Sequence, residues 1–156
     1  GDNIFEENFS SPAKKFVESG LGAMLFLKQV NDPQRFGVAE LDRDLIVQIE
    51  EKPKNPKSDL AVTGLYFYDN NVFSKIKTIA PSSRGEYEIT DVNNLYIKEG
   101  RLSYHIVNGF WSDAGTIESR TKSENFVRNG LEKKILLSLA ANGEVSKKLK
   151  EAFGEF

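Results

Sequence analysis

Short strand-like runs alternate with amphipathic helical stretches along this chain. That alternation restricts it to an α/β class built on a mixed sheet. Ala23 to Val30 is apolar-rich and reads as a buried strand. Ala61 to Tyr68 is β-branched and aromatic and reads as a central strand; Gly64 inside it marks a place where something comes close to the backbone. Gly37 to Leu41 and Leu45 to Ile49 form a hairpin pattern around Asp42-Arg43-Asp44, Lys52 to Ser58 is loop, and Leu102 to Val107 is a further strand. Helical signals fall between them. Ser11-Pro12 is a cap followed by proline, with Ala13, Phe16 and Val17 on one face and Gly20 as the stop. Asn71 to Thr78 is a short helix. Thr90 caps another, whose apolar face is Val92, Leu95 and Tyr96. Thr116 caps a helix to about Arg128, stopped at Gly130. Two more amphipathic helices follow, one carrying Leu131, Ile135 and Leu139, the other Val145, Leu149, Ala152 and Phe153.

The chain has 156 residues, enough for one well-cored domain. Its net charge of −2 gives no global basic field, so neither nucleic acid nor an anionic membrane is expected as a partner. With no cysteine, a disulfide framework and a thiolate nucleophile are excluded, which fits a cytoplasmic location. No apolar run approaches the ~18 residues of a membrane span, and the first residues lack the pattern of a signal peptide.

Six short runs stand in fixed order. They are Gly1-Asp2-Asn3, Gln34-Arg35-Phe36-Gly37-Val38, Glu50-Glu51-Lys52-Pro53 and Ala61-Val62-Thr63-Gly64-Leu65-Tyr66, then Arg84-Gly85-Glu86-Tyr87-Glu88-Ile89-Thr90-Asp91 and Phe110-Trp111-Ser112-Asp113-Ala114-Gly115-Thr116. Together they resemble the second half of the sugar-1-phosphate nucleotidylyltransferases, most of all the glucose-1-phosphate thymidylyltransferases. The resemblance covers Gly1 to Val127. It implies a mixed-sheet, Rossmann-like nucleotidyltransferase fold lacking its N-terminal nucleotide-binding portion. Residues 1–130 are then the sugar-phosphate and metal-binding part, and residues 131–156 form C-terminal amphipathic helices.

On their own, Asp2 and Asp113 are turn residues beside glycines. Two aspartates on loop ends also suit Mg2+, which takes one or two carboxylates and fills its shell with water and phosphate. The resemblance implies that both hold this magnesium and are catalytic. Lys52 ends a solvated charge run or binds a phosphate as a point charge. The resemblance implies the second role, with Glu51 on sugar hydroxyls and Glu50 structural. Arg84 is a surface arginine or a phosphate fork; the resemblance places it near the sugar phosphate, oriented by Glu86, Glu88 and Asp91. Asn3, Gly37 and Val62 are implied to act by position, Val62 through its backbone. Trp111 is a core residue or a flat wall under a hexose. His105 is structural.

The implied reaction is nucleotidyl transfer, with dTMP passing from dTTP to glucose-1-phosphate to give dTDP-glucose and pyrophosphate, in nucleotide-sugar supply for polysaccharide biosynthesis. Partners are then a sugar-1-phosphate, a nucleoside triphosphate, the N-terminal half or a complementary chain, and further copies in a homo-oligomer. Three features depart from the family. The G-x-G-T-R-L loop is absent, base-recognition residues are absent, and Trp-Ser-Asp-Ala-Gly stands where Trp-Leu-Asp-Thr-Gly is usual. The isolated chain is therefore expected to be catalytically incompetent. The competing readings are a non-catalytic sugar-phosphate-binding or interaction module, and a nucleotidylyltransferase for another sugar or base.

Overall fold

The computed structural model describes residues 2–140. Its compact units divide between Asp113 and Ala114. The first unit is built on a five-stranded sheet. In chain order its elements are β1 (Ile4–Phe5), α1 (Ser10–Ser19), β2 (Ala23–Gln29), a 3-10 turn (Pro33–Arg35), β3 (Gly37–Asp42), β4 (Leu45–Glu51), β5 (Leu60–Tyr68), α2 (Val72–Ile76), α3 (Ile89–Lys98), β6 (Leu102–Ile106) and β7 (Trp111–Ser112). The sheet runs β4-β3-β5-β2-β6, while β1 and β7 form a separate two-stranded ribbon.

The sheet is mixed because β2 pairs antiparallel with β5 and parallel with β6. The apolar run from Ala23 makes this possible, since β2 is buried on both faces. Leu25 and Leu27 pack with Ala39, Ile49 and Val62 on one face, and Ala23 joins Val92 and Tyr96 of α3. Met24 and Phe26 point the other way, toward Phe16 of α1, Phe67 and Val107. Phe26 meets Phe9 and Phe67 edge-on at 5.0 and 4.9 Å. Each such fully buried side chain contributes about 1.5–3 kcal/mol.

Strand order places β5 at the centre of the sheet, as its composition predicts. Its register against β2 slips between Leu25 and Leu27, which pair with Tyr66 and Val62. The extra residues bulge at Thr63-Gly64-Leu65, and a bulge re-aims backbone groups.

Several local expectations are corrected. Val17 is exposed, so the inward face of α1 consists of buried Pro12 with half-buried Ala13 and Phe16. Thr90 does not cap α3. It lies inside the helix, and its hydroxyl is drawn to a strand carboxylate instead. The stop at Gly130 is not observed.

In the second unit, α4 runs unbroken from Ile117 to Ala140. Thr116 does cap it: its Oγ1 accepts from the Ser119 amide at 3.1 Å, and the Ser119 hydroxyl accepts from the Thr116 amide at 3.0 Å. This reciprocal cap and the ordinary helix formers on either side outweigh one interior glycine, which costs ~1 kcal/mol. The helix expected around Val145 to Phe153 lies outside the described residues.

Candidate active site

The β1–β7 ribbon solves a long-range problem. It pairs Ile4 with Ser112 and Phe5 with Trp111. Continuing that register sets Asn3 across from Asp113, so residues 2–3 and 113 meet at one end of the ribbon. Phe5 and Trp111 anchor it on the Phe26 face of the sheet.

Asn3 fixes this end. Its Oδ1 accepts from the Trp111 indole at 2.7 Å and from the Gly64 amide at 3.0 Å. Its Nδ2 donates to Asp2 Oδ1 at 3.0 Å. The bulge in β5 presents the Gly64 amide to Asn3. It also explains the glycine: a Cβ there would lie 2.3 Å from Asn3 Nδ2. The close approach expected at Gly64 is therefore made by the Asn3 side chain.

Glu51 ends β4 opposite Gly37 of β3. Its carboxylate accepts from the Thr90 hydroxyl at 2.6 Å. A Cβ on Gly37 would meet both groups, at 3.2 and 3.3 Å, so the glycine leaves room for the pair. Lys52 follows with φ of +44°, and its amide is held by the Phe36 carbonyl at 3.0 Å. Ala114, next to Asp113, also has φ of +44°. Left-handed backbone costs a side-chain-bearing residue about 1–2 kcal/mol. Such strain collects where geometry is dictated by function.

These groups surround one open basin of about 240 Å³. Asp2, Asn3 and Asp113 line it together with Gly37, Glu51 and Lys52. Val62 and Trp111 complete the set of expected residues there. Glu50 is exposed and off the basin. His105 is likewise elsewhere, bonded to Glu7 at 2.6 Å.

Arg84 is the exception among the expected residues, since it does not line the basin. Its guanidinium lies 2.7 Å from Glu86, 3.5 Å from Glu88 and 3.8 Å from Glu51. Glu86 and Glu88 flank it together with Glu51 and neutralise it, whereas Asp91, expected to help orient it, makes no ion pair with it among the described residues. Glu51 both lines the basin and lies 3.8 Å from Arg84.

Sequence reasoning missed four contributors. Thr90 was taken for a cap. Arg35 stands two residues before Gly37 and reaches Asp113 at 3.2 Å. Phe36 packs its ring 5.3 Å from Trp111. Tyr66 lines the basin, and burial, helped by the nearby Glu51 charge, pushes its phenol up to about 12. Arg35, Phe36 and Tyr66 all lie inside runs that already stood out.

The donor set fits a magnesium ion. Among the described residues no cluster of three or more potential ligands exists. Two carboxylates on a shared basin are what Mg2+ needs when water and substrate phosphates supply the rest.

A basin of carboxylates and a lysine thus lies at the ends of strands in a mixed α/β sheet. The family model described as nucleotidyl transferase matches residues 1–130, and the chain belongs to that family. It is 48% identical over 132 residues to a glucose-1-phosphate thymidylyltransferase of Neisseria meningitidis, a match covering 82% of this chain and 46% of the relative. A Bacillus anthracis protein assigned as a glucose-1-phosphate thymidylyltransferase and crystallised with sucrose superposes with a TM-score of 0.76 at 49% identity, over 81% of this chain and 52% of that one. A UDP-glucose pyrophosphorylase bound to UDP-glucose shares the fold at 20% identity, with a TM-score of 0.71 over 83% and 54% of the two chains. The chain thus spans about half the length of the relatives it matches.

Proposed function

We propose that this chain forms the sugar-phosphate and metal-holding side of a glucose-1-phosphate thymidylyltransferase. In the reaction, an oxygen of the glucose-1-phosphate phosphate attacks the α-phosphorus of dTTP. The bond from that phosphorus to the β-phosphate oxygen breaks, giving dTDP-glucose and pyrophosphate. The observation that carries this reading is that Asp2, Asp113 and the adjacent pair Glu51-Lys52, from three distant parts of the sequence, line one basin.

Each residue has a role its chemistry suits. Lys52 makes no ion pair among the described residues, so its ammonium is available to the sugar phosphate. Glu51, held by Thr90, accepts from two adjacent hydroxyls of the hexose. Gly37 and the Val62 backbone flank the ring, and Trp111 supplies a flat wall. Asp2 and Asp113 would hold Mg2+, whose positive charge offsets that of the reacting phosphates. Arg84 acts through Glu51 unless its acidic partners release it. No protein nucleophile is needed, because phosphoryl-type transfer depends on positioning and charge neutralisation.

The glycine-rich run that would cradle the triphosphate with backbone amides is not among these 156 residues. We place it outside this chain, so that the isolated chain binds sugar phosphate without turning it over. A cytoplasmic homo-oligomer completes the reading; no helix of the described residues is long and apolar enough to cross a membrane.

Lys52→Ala tests the sugar-phosphate assignment. One charge-assisted hydrogen bond is worth ~1.5–3 kcal/mol. Calorimetry should therefore show glucose-1-phosphate affinity falling about ten-fold or more, with free glucose unaffected. Equal losses for both ligands would remove Lys52 from the phosphate.

A further inference from the structure

The cations around the basin are in three different states. Arg84 is enclosed by Glu51, Glu86 and Glu88. Lys52 makes no ion pair among the described residues. Arg35 is shared. Its Nη1 lies 2.8 Å from Asp32 Oδ2, and its Nη2 lies 3.2 Å from Asp113 Oδ2.

The two arms of Arg35 are not equal. Charge-assisted hydrogen bonds of this type run about 2.7–2.9 Å. The Asp32 arm is at full strength, and the Asp113 arm is longer. Asp32 is three residues back, at the entry to the 3-10 turn that ends in Arg35, so it travels with the arginine. Asp113 arrives from the other end of the unit's sequence, just after β7. The guanidinium also sits over the Phe36 ring, 5.2 Å from its centroid, a contact that survives a shift of one arm.

A guanidinium N–H on Asp113 Oδ2 and a divalent cation compete for the charge of the same carboxylate. Of the two Arg35 arms, the one that yields is the longer. A guanidinium still anchored on Asp32 and Phe36 then faces the basin with donors in a fixed fork, the shape that matches phosphate oxygens.

We propose that Arg35 is an exchange residue. It balances Asp113 while the basin is empty, cedes that carboxylate to a divalent cation, and turns the released donors onto the phosphate of the bound sugar phosphate. This inference rests on the reading of Asp113 as a metal ligand given above. It makes charge transfer within the site part of substrate binding, because metal and sugar phosphate each favour the state the other needs.

The test is calorimetry of Mg2+ alone, and of glucose-1-phosphate in saturating Mg2+, on the full chain and its Arg35→Met and Arg35→Lys variants. Trp111, the sole tryptophan, reports independently by fluorescence through its contact with Phe36. Arg35→Met should bind Mg2+ up to about five-fold more tightly, the worth of a partly exposed ion pair. It should bind glucose-1-phosphate about ten-fold more weakly. Arg35→Lys keeps the charge and loses the fork, so it should also gain Mg2+ affinity while keeping part of the phosphate affinity. A side chain that only supports the fold would lower both affinities together. That result overturns the proposal, as does Arg35→Met with unchanged Mg2+ affinity. Arg35→Lys matching the unsubstituted chain in both titrations would reduce Arg35 to a background charge and overturn it too. Asp113→Asn separates the inference from its premise. If this variant keeps full Mg2+ affinity, the metal assignment itself falls, and Arg35 with it; if it loses Mg2+, the Arg35 variants alone decide.

Discussion

The two ends of the basin are built in different ways. The Asp2–Asp113 end is assembled from chain segments more than a hundred residues apart, joined by a ribbon of two-residue strands and one asparagine. The Glu51 end stands on regular structure: β4 delivers the carboxylate, β3 leaves the space at Gly37, and α3 supplies the Thr90 hydroxyl. The first end is positioned by the few polar contacts of one side chain, Asn3, on a ribbon whose Phe5 and Trp111 pack against the Phe26 cluster. The second is backed by Ile49, Val92 and Tyr96, all buried. Geometry at the Asp2–Asp113 end should therefore fail through single side-chain changes that leave the fold intact. Geometry at the Glu51 end should change only by degrees.

Gly64→Ala gives the largest expected effect. The added methyl would collide with the Asn3 amide, and Asn3 cannot move without giving up Trp111, Gly64 and Asp2. We expect a loss of about 2–3 kcal/mol in urea unfolding and a shift in Trp111 emission. The sharper form is a cycle with Asn3→Ala. Because both changes break the same contacts, the double variant should cost scarcely more than Asn3→Ala alone. Additive losses would show that Gly64 is needed for some other reason.

Thr90→Val probes the opposite end. The side chain keeps its shape and loses one hydrogen bond to a charged group, worth ~1.5–3 kcal/mol. The fold should survive, while discrimination between glucose-1-phosphate and its epimers, read by calorimetry, weakens several-fold. Thr90→Ser should restore it. Unchanged discrimination in Thr90→Val would detach Thr90 from Glu51's work.

The motif residues were legible because each lies in a short run whose local chemistry is distinctive. Thr90 was misread for a related reason. A threonine near the start of a helix has the local chemistry of a cap, and only the fold brings Glu51 within 2.6 Å of it. Arg35 was passed over because its partner Asp113 lies 78 positions away, and no local pattern marks that pairing. Gly130 looked like a stop because propensity weighs a glycine alone, whereas α4 distributes its cost over many good helix formers. The central place of β5 was legible from its β-branched and aromatic composition, and the burial of β2 from a run with no polar face, Ala23 to Phe26.

A smaller effect comes from the tyrosines near the Glu51 end. Tyr66 and Tyr68 stack at 5.8 Å, and Tyr68 and Tyr96 at 5.7 Å. Burial first, then neighbouring phenols or carboxylates, raises all three. A phenol whose pKa is higher folded than unfolded stabilises the fold fully below the unfolded value of about 10. That contribution is lost as pH rises through the folded value, which for Tyr66 is about 12. Unfolding midpoints should therefore be insensitive to these groups between pH 7 and 9 and fall above about pH 10. Tyr66→Phe should flatten part of that fall.

Titrating glucose-1-phosphate into the chain with and without Mg2+, for the unsubstituted protein and for Asp113→Asn, tests the central claim most directly. The account predicts saturable binding that Mg2+ tightens in the unsubstituted chain, and an Asp113→Asn variant that still folds but gains nothing from Mg2+. Binding that ignores Mg2+ in both proteins, or a Mg2+ effect of equal size in both, would contradict it.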